Sequence, residues 1–399
     1  MKYAIIIMDG AADLPIDELG GKTVLQAASL PNIAKLALAG KVGTSRNLTK
    51  GLPLGSDVAI LSVLGYDPRK CYPGRAPLEA AAQGIELGPN DWVFRCNLVT
   101  IIDGMMEDYA AGHISTAEAK ALIDELNRQL GGAKVQFFPG VSYRHLVVFR
   151  DVRDAMTATV TPPHDLSGKS VAGHEPRGPG SDMLKTLISR AVEILEHHEI
   201  NRVRRDLGEN PATAIWLWGQ GQKPVLPHFS ERFGVTGAAI TAVDLVRGIA
   251  RLIGWPIIEV PGATGFLDTN YAGKGQAAVD ALDTYDLVLV HIEAPDEAGH
   301  NGNIKGKLDA VEAIDRHIIG PVASKLASFQ TQGWRILVLP DHPTPIALRS
   351  HTDDPVPWLM AGTGISSVLP LTYDESAARQ SDLQIPRGCE LMEYFLKQR

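Results

Sequence analysis

The sequence is poor in cysteine, in aromatic residues and in long apolar runs. Its three cysteines, Cys71, Cys96 and Cys389, are odd in number and widely spaced, which argues against a disulfide framework and against a thiolate metal site. No apolar run reaches the roughly 20 residues that a membrane-spanning helix needs. A strand predicted to begin at residue 3 leaves no room for a secretory signal peptide. We therefore expect a cytoplasmic protein with no membrane partner.

Excess positive charge and a Walker-type phosphate loop are also missing. The formal net charge is −8, which argues against nucleic acid as a partner because such binding needs a basic face. No Gly-x-x-x-x-Gly-Lys-Ser/Thr segment occurs, so this common route to ATP binding is absent. An anionic substrate would have to be attracted by local arginines, lysines and metal ions instead.

The length of 399 residues and the alternation of strands and helices predict two domains. Residues 1–85 and 200–399 alternate strand-like and helical segments, which predicts an α/β domain with a mainly parallel sheet flanked by helices. Residues 86–199 read as a smaller α+β insert that would act as a cap. The predicted strands include 93–102, 143–149, 214–218, 238–242, 257–260, 287–292 and 336–339, and the predicted helices include 30–39, 116–130 and 181–199.

Three apolar strand-like runs each lead to a carboxylate, and histidines follow the last two. The acids and histidines, which come from opposite ends of the sequence, are Asp9, Asp296, Asp341, His300, His342 and His351. Ligands of open α/β sheets bind beyond the carboxyl ends of the strands. These six side chains therefore predict a metal centre, and hence an enzyme.

The spacing of these residues has a structural reading and a functional one. Asp296 and His300 are four residues apart, on one face if the segment is helical; alternatively, Asp296 caps a helix and His300 is a surface residue. Asp341 and His342 are adjacent, so in an extended segment their side chains diverge and could serve two metals; alternatively, Asp341 forms a turn after its strand. Carboxylate and imidazole ligands suit Zn²⁺ or Mn²⁺, and carboxylate-rich sites favour Mn²⁺ or Mg²⁺.

Ser56 is the candidate nucleophile. It follows Gly55 at the start of an apolar helical run, where free backbone N–H groups suit a phosphate. A serine activated by a metal could attack phosphorus there. Serine is also a favoured N-cap residue, and Asp57 could take that role as well. Ser56 is favoured as a nucleophile only because the sequence also contains the predicted set of metal ligands.

Several motifs resemble those of the archaeal type of cofactor-independent phosphoglycerate mutase, in the alkaline-phosphatase superfamily. They lie along nearly the whole chain, at Asp9-Gly10, 19–23, 55–59, 65–68, 73–75, 261–274, 293–300, 341–345 and 351–357. The resemblance implies an alkaline-phosphatase-like α/β fold and transfer of phosphate through a phosphoserine on Ser56. It also implies two divalent ions, Mn²⁺ first, with Mg²⁺, Zn²⁺ or Co²⁺ as alternatives.

The resemblance assigns the metal ligands residue by residue. Asp9, Ser56, Asp341 and His342 would hold one ion, and Asp296, His300 and His351 would hold the other. The partner would be a small phosphorylated metabolite, and assembly into a homo-oligomer stays open. Six cationic or imidazole side chains are the candidate substrate contacts: Lys274, Arg144, Arg95, His164, His113 and His145.

One segment departs from the family pattern and keeps a second function open. Archaeal-type mutases carry an arginine-rich Asp-Arg-Arg-Ala-Gly-Arg segment, whereas residues 107–115 here read Glu-Asp-Tyr-Ala-Ala-Gly-His-Ile-Ser. In this respect, and at 94–100, 140–145 and 215–221, the chain resembles a bacterial branch proposed to be a homoserine kinase. The alternative function is therefore phosphorylation of a small alcohol at the same metal site. A third reading, a catalytically silent binding protein, conflicts with the retention of every metal position.

Overall fold

The computed structural model describes residues 1–367 and 372–397. Strands β1 to β12 span Lys2–Met8, Lys41–Ser45, Trp92–Ile102, Met105–Asp108, Val135–Phe138, Arg144–Phe149, Ala214–Gly221, Gly237–Ile240, Leu287–Ile292, Trp334–Leu339, Val356–Gly362 and Gln384–Ile385. Helices α1 to α16 span Val24–Ala27, Pro31–Ala39, Ser56–Val63, Pro68–Cys71, Arg75–Ala82, Thr116–Leu130, Ser181–Glu196, Glu199–Asp206, Phe229–Phe233, Asp244–Leu252, Tyr271–Thr284, Ala294–His300, Ile304–Ile314, Gly320–Ala327, Glu375–Gln380 and Leu391–Lys397.

The chain forms two compact units. One is discontinuous and consists of Met1–Tyr72 and Val225–Arg399, and the other is the inserted unit Pro73–Pro224. The inserted unit starts earlier and ends later than the predicted insert of residues 86–199. The reason is that α5 and β7 both pack against β3, so these flanking elements belong to the core of the insert.

The discontinuous unit is built on a seven-stranded sheet of order β12-β2-β11-β10-β1-β9-β8. Its neighbouring strands are parallel except at β11, which is antiparallel to both β10 and β2. The central strands are mostly apolar because helices cover both faces of a parallel sheet. β1, β9 and β10 are almost entirely buried. The predicted α/β fold with a mainly parallel sheet is confirmed.

The inserted unit contains an antiparallel sheet of order β4-β3-β6-β5, with β7 also paired to β3. Helices α6 and α7 pack in its apolar core with the sheet. Ser115 begins α6 through a capping box in which its hydroxyl accepts from the Glu118 N–H and the Glu118 carboxylate accepts from the Ser115 N–H. The predicted helix over 116–130 is therefore present with the same bounds.

Two predicted elements differ from the structure. The predicted strand at 257–260 contributes only a single bridge, between Ala239 and Ile257, because prolines at 256 and 261 remove backbone donors from its flanks. The predicted helix 181–199 stops at Glu196, and a second helix starts at Glu199 after His198 accepts a hydrogen bond from the Ile200 N–H. Within the described part of the chain, no helix is both long enough and apolar enough to cross a membrane.

Candidate metal centre

Three neighbouring strands bring the predicted acids together. β10, β1 and β9 lie side by side in the sheet, and each ends just before part of the site. Asp9 follows β1 directly, Asp341 follows β10, and Asp296 lies in the first turn of α12 after β9. All three carboxylates are almost completely buried. The geometry that joins them is the common edge formed by the carboxyl ends of parallel strands.

Among the described residues, two groups of side chains have ligand atoms close enough to surround a cation. Asp296, His300 and His351 form one group, and Asp9, Asp296 and His342 form the other, with the ligand atoms of each group within 4.8 Å of one another. Asp296 belongs to both groups. Since α12 spans Ala294–His300, Asp296 and His300 share one helical face as the sequence predicts. The His300 side chain is 35% exposed, so it lies at the edge of the cluster, and its Nε2 is 3.2 Å from Asp296 Oδ2.

The predicted divergence of Asp341 and His342 is wrong. His342 Nε2 lies 3.5 Å from Asp341 Oδ2 and 3.5 Å from Asp9 Oδ1. The chain turns immediately after the strand, and the His342 N–H donates to Asp341 Oδ1 at 2.8 Å, so the two side chains do not alternate as they would in an extended segment. This arrangement fits the sharing of one ion by both residues.

Backbone acceptors orient two of the histidines. His300 Nδ1 lies 3.0 Å from the Arg349 carbonyl oxygen and His351 Nδ1 lies 2.8 Å from the Leu54 carbonyl oxygen. A carbonyl can only accept, so each Nδ1 carries a proton in the bond, and in the neutral form of each ring the lone pair is therefore on Nε2. These two Nε2 atoms are 2.9 Å apart. The nitrogens that approach each other are therefore the ones that could bind a cation.

The electrostatics of the cluster favour a bound cation. Burial, together with the carboxylates of Asp341 and Asp296, raises the pKa of Asp9 well above its usual value. Asp9 Oδ1 and Asp341 Oδ2 are buried, and neither has a hydrogen-bond partner among the described residues. Buried carboxylate oxygens without donors are costly unless a cation compensates them. These residues therefore fit a site for divalent metal ions.

The pKa of Asp296 shifts in the opposite direction to that of Asp9. Burial would raise the pKa of Asp296, but hydrogen bonds from His300 and His351 outweigh it and hold that pKa well below its usual value. The hydrogen bond that His300 donates to Asp296 raises the pKa of His300 to about 9. The negative charge of Asp296 is thus retained beside two imidazoles.

Ser56 points its hydroxyl into this cluster. Its Oγ lies 3.3 Å from Asp9 Oδ2 and 3.1 Å from His342 Nε2. The N-cap of α3 is Gly55, without a side-chain cap bond, so Ser56 is the first residue of the helix and does not cap it. Asp57 is buried and accepts a hydrogen bond from the Tyr72 hydroxyl at 2.6 Å. The capping alternative for Ser56 is therefore excluded.

Gly10 and Thr344 pack tightly around Asp296. Gly10 has φ +62°, and a Cβ there would lie 2.5 Å from Asp296 Oδ1 and 2.6 Å from Thr344 Oγ1, so only glycine fits. The Thr344 hydroxyl donates to Asp296 Oδ1 and lies 3.3 Å from His342 Nδ1. Thr344 thereby links His342 to Asp296, the residue that both groups share.

Sequence reasoning missed Thr344 and His291. His291 lies on β9, is fully buried, and its Nε2 is 2.8 Å from Asp9 Oδ2. The available signal was a single imidazole inside the apolar run Leu-Val-Leu-Val-His-Ile, since a buried polar group must have a partner. No comparable signal marked Thr344.

Lys274 lies beside the same strand. It is 1% exposed, and its Nζ lies 3.3 Å from the His291 carbonyl oxygen. Burial lowers the pKa of Lys274 to about 8, and burial raises the pKa of nearby Glu293 to about 8. Lys274 is thus a buried amine next to the strand that leads to Asp296.

The inserted unit holds the other candidate substrate contacts, and three of them lie near aromatic rings. The Arg95 guanidinium lies 4.2 Å from the Trp218 ring centroid and its Nε donates to Glu79 at 3.0 Å. The His164 ring is 5.3 Å from that of Trp218. Arg144 is exposed and lies over the Tyr143 ring at 5.7 Å. Arg95 and His164 thus share Trp218, which gives this unit a compact cationic and aromatic cluster.

The two remaining candidate contacts, both histidines of the inserted unit, lie in other surroundings. His145 is 2% exposed, and its Nδ1 accepts from the Gly140 N–H at 3.0 Å. This position is that of a structural histidine that holds a turn, so direct contact with a substrate does not fit it. His113 is exposed with φ +50°. Neither imidazole packs against the ring of Trp218 or Tyr143.

The fold and the cluster define a class of protein: an α/β protein whose strand ends carry acids and imidazoles suited to divalent cations beside a serine hydroxyl. A family profile described as 2,3-bisphosphoglycerate-independent phosphoglycerate mutase matches residues 37–201. A protein of that name from Methanosarcina barkeri is 49% identical over 398 residues, which cover 100% of both chains.

Solved structures agree with this match. A protein from Pyrococcus horikoshii is 30% identical with a TM-score of 0.83, over 99% of this chain and 96% of that one. A cofactor-independent phosphoglycerate mutase from Thermoplasma acidophilum is 28% identical with a TM-score of 0.70, over 99% of each chain. The chain belongs to the 2,3-bisphosphoglycerate-independent phosphoglycerate mutase family.

Proposed function

We propose that this chain interconverts 3-phosphoglycerate and 2-phosphoglycerate without bisphosphoglycerate. The observation that carries the proposal is the position of the Ser56 hydroxyl, within 3.3 Å of Asp9 and 3.1 Å of His342 in a buried cluster of acids and imidazoles. The mutase names of full-length relatives support the choice of substrate. The partner would be a small phosphorylated metabolite.

The metal ions are part of the proposal. Asp9, Ser56, Asp341 and His342 would hold one divalent ion, and Asp296, His300 and His351 would hold the other. Two such ions, Mn²⁺ first because carboxylates and imidazoles are mixed, would supply positive charge for the attacking and leaving oxygens of phosphoryl transfer.

Ser56 would carry the phosphoryl group. After losing its proton, its Oγ attacks the phosphorus of 3-phosphoglycerate, the P–Oγ bond forms, and the bond to the glycerate oxygen breaks. The released glycerate oxygen takes up the proton that Ser56 lost, and the glycerate reorients within the site. The neighbouring hydroxyl then attacks the phosphoserine, the P–Oγ bond breaks, and the proton of that hydroxyl passes to Ser56 Oγ, which regenerates Ser56 and yields 2-phosphoglycerate.

We further propose that cations of the chain hold the anionic groups of the substrate. Lys274 would act as a point charge on an oxygen, and Arg144, Arg95 and His164 would offer planar or ring donors. The variant Arg144→Met should raise KM on the order of tenfold, since a charge-assisted hydrogen bond contributes this much. Arg128→Met removes another exposed arginine of the inserted unit and should leave KM unchanged. Equal KM values for both variants would remove Arg144 from the substrate site.

The alternative is phosphorylation of a small alcohol such as homoserine, which the missing arginines of residues 107–115 favour. One panel separates the two functions. Protein stripped with a chelator is reloaded with Mn²⁺ and given either 3-phosphoglycerate without bisphosphoglycerate or homoserine with ATP. Formation of 2-phosphoglycerate supports the mutase, and donor-dependent formation of phosphohomoserine supports the kinase instead.

The variant Ser56→Ala tests the nucleophile. It should abolish either activity while thermal stability and Mn²⁺ binding by the remaining ligands persist. Ser62→Ala is the matched control, because Ser62 lies on the same helix and is 2% exposed; its activity should stay near that of the unaltered protein. Full activity of Ser56→Ala would overturn the assignment.

A further inference from the structure

Polar side chains stand side by side on β9 and directly beyond the ends of its two neighbouring strands, β8 and β1. Thr241 comes directly after β8, His291 is the fifth residue of β9, and Asp9 comes directly after β1. The register pairs His291 with Ile7, and residues two apart on a strand share a face, so Asp9 lies on the face that carries Ile7. This row crosses the sheet toward the candidate metal centre.

The row is joined by hydrogen bonds at every step. Thr241 Oγ1 accepts from the Val243 N–H at 3.1 Å and lies 3.3 Å from His291 Nδ1. His291 Nε2 lies 2.8 Å from Asp9 Oδ2. The exposed fractions are 4% for Thr241 and 0% for His291 and Asp9. Water therefore cannot replace these bonds at little cost.

The chemistry of the three groups determines which atom donates and which atom accepts in each hydrogen bond of the row. As a ligand of a divalent ion Asp9 would be ionised, and an ionised carboxylate only accepts hydrogen bonds, so His291 Nε2 would then carry the ring proton that bonds Asp9. In a neutral ring Nδ1 then has a lone pair, and the Thr241 hydroxyl donates to it. Asp9 Oδ2 is thereby occupied by the imidazole and lies 3.3 Å from Ser56 Oγ, whereas Oδ1 has no hydrogen-bond partner in the described part of the chain.

We propose that Thr241 and His291 are positioning residues that fix the orientation of Asp9, so that Oδ1 faces a divalent ion and Oδ2 stays on the imidazole. The inference rests on the metal centre of the proposed function. Partners of this kind, behind a metal ligand, set its orientation and basicity, and their loss reduces metal affinity about 10- to 100-fold.

Two pairs of variants test the proposal through binding of Mn²⁺ measured by electron paramagnetic resonance. His291→Leu should weaken Mn²⁺ binding about 10- to 100-fold, whereas His291→Gln, whose amide can donate near the position of Nε2, should recover most of the affinity. Thr241→Val should weaken binding by several-fold, since one buried hydrogen bond is lost, and Thr241→Ser should bind as the unaltered protein does. Melting temperatures of the metal-free variants report any purely structural effect.

A spectroscopic signature tests the direction of the row without any activity. In protein loaded with diamagnetic Zn²⁺, ¹⁵N nuclear magnetic resonance should show His291 as the neutral tautomer with its proton on Nε2, and Thr241→Val should disturb that signal. A proton on Nδ1 would overturn the proposal. So would melting temperatures that fall while Mn²⁺ affinity stays constant in both His291→Leu and Thr241→Val, because that pattern describes core packing alone. Failure of the unaltered protein to bind Mn²⁺ would instead refute the metal centre itself.

Discussion

Removal of the buried Lys307 amine should destabilise the discontinuous unit severely. Lys307 Nζ lies 2.7 Å from Asp13 Oδ2, with both side chains at most 1% exposed. It also donates to the Thr344 carbonyl at 2.8 Å and approaches the Ala12 carbonyl at 3.4 Å. In Lys307→Met the Asp13 carboxylate loses its counter-charge and two carbonyls lose a donor.

The cost follows from burial. Breaking a fully buried ion pair by removal of one partner costs about 3–5 kcal/mol, because the remaining charge stays desolvated. For a unit of this size, each kcal/mol lowers the melting temperature by about 2–4 °C, so we expect a fall of roughly 10 °C. Since the Thr344 hydroxyl contacts Asp296, the same variant should also bind Mn²⁺ more weakly.

The same helix supplies the control. Lys305 pairs with Asp309 on the surface of α13, and their side chains are 83% and 59% exposed. Exposed pairs contribute about 0–1 kcal/mol, so Lys305→Met should melt within about 2 °C of the unaltered protein. Calorimetry in the presence of a chelator measures both variants without stabilisation by bound metal. Equal melting temperatures for Lys307→Met and Lys305→Met would refute the energetic reasoning.

Three further predictions concern the metal centre and the inserted unit. Thr344→Val should weaken Mn²⁺ binding on the order of tenfold because the hydroxyl that holds Asp296 is lost. Thr344→Ser keeps a hydroxyl and should bind Mn²⁺ as the unaltered protein does. Equal Mn²⁺ affinities of Thr344→Val and Thr344→Ser in a titration would contradict this. Arg204→Met should destabilise the inserted unit by about 3 kcal/mol, because it removes a guanidinium that bonds two carbonyls and two carboxylates in a residue that is 3% exposed. Arg202→Met removes an arginine from an exposed pair and should change the calorimetric stability little. Similar stabilities for both variants would count against the argument. Chelation should abolish isomerase activity and added Mn²⁺ should restore it, whereas full activity after exhaustive chelation would exclude a metal-dependent reaction.

The sequence predicted the part of the site that depends on strand ends. Asp9 and Asp341 could be placed together because apolar runs reveal parallel strands, and the carboxyl ends of such strands share an edge. Asp296 and His300 could be placed on one face by their spacing alone. The convergence of residues from both ends of the chain follows from the sheet order, which no local pattern shows.

The rest depended on contacts between segments that are distant in sequence. The strands at 41–45 and 356–362 were not anticipated, and β11 reverses the direction of the sheet between β10 and β2. The turn that brings Asp341 and His342 together depends on a backbone bond to the Asp341 side chain. Arg95 reads in sequence as an isolated cation, and only the pairing of β3 with β7 places it beside Trp218.

The most direct test of the account is to find where phosphate resides during turnover. Protein loaded with Mn²⁺ is mixed with 3-phosphoglycerate, quenched in acid within a single turnover, and digested for mass spectrometry. The account predicts phosphate on the peptide that contains Ser56, and none in Ser56→Ala. Rapid formation of 2-phosphoglycerate with no phosphate on Ser56 at any quench time, or phosphate on another residue, would contradict the claim that the hydroxyl beside Asp9 and His342 is the nucleophile.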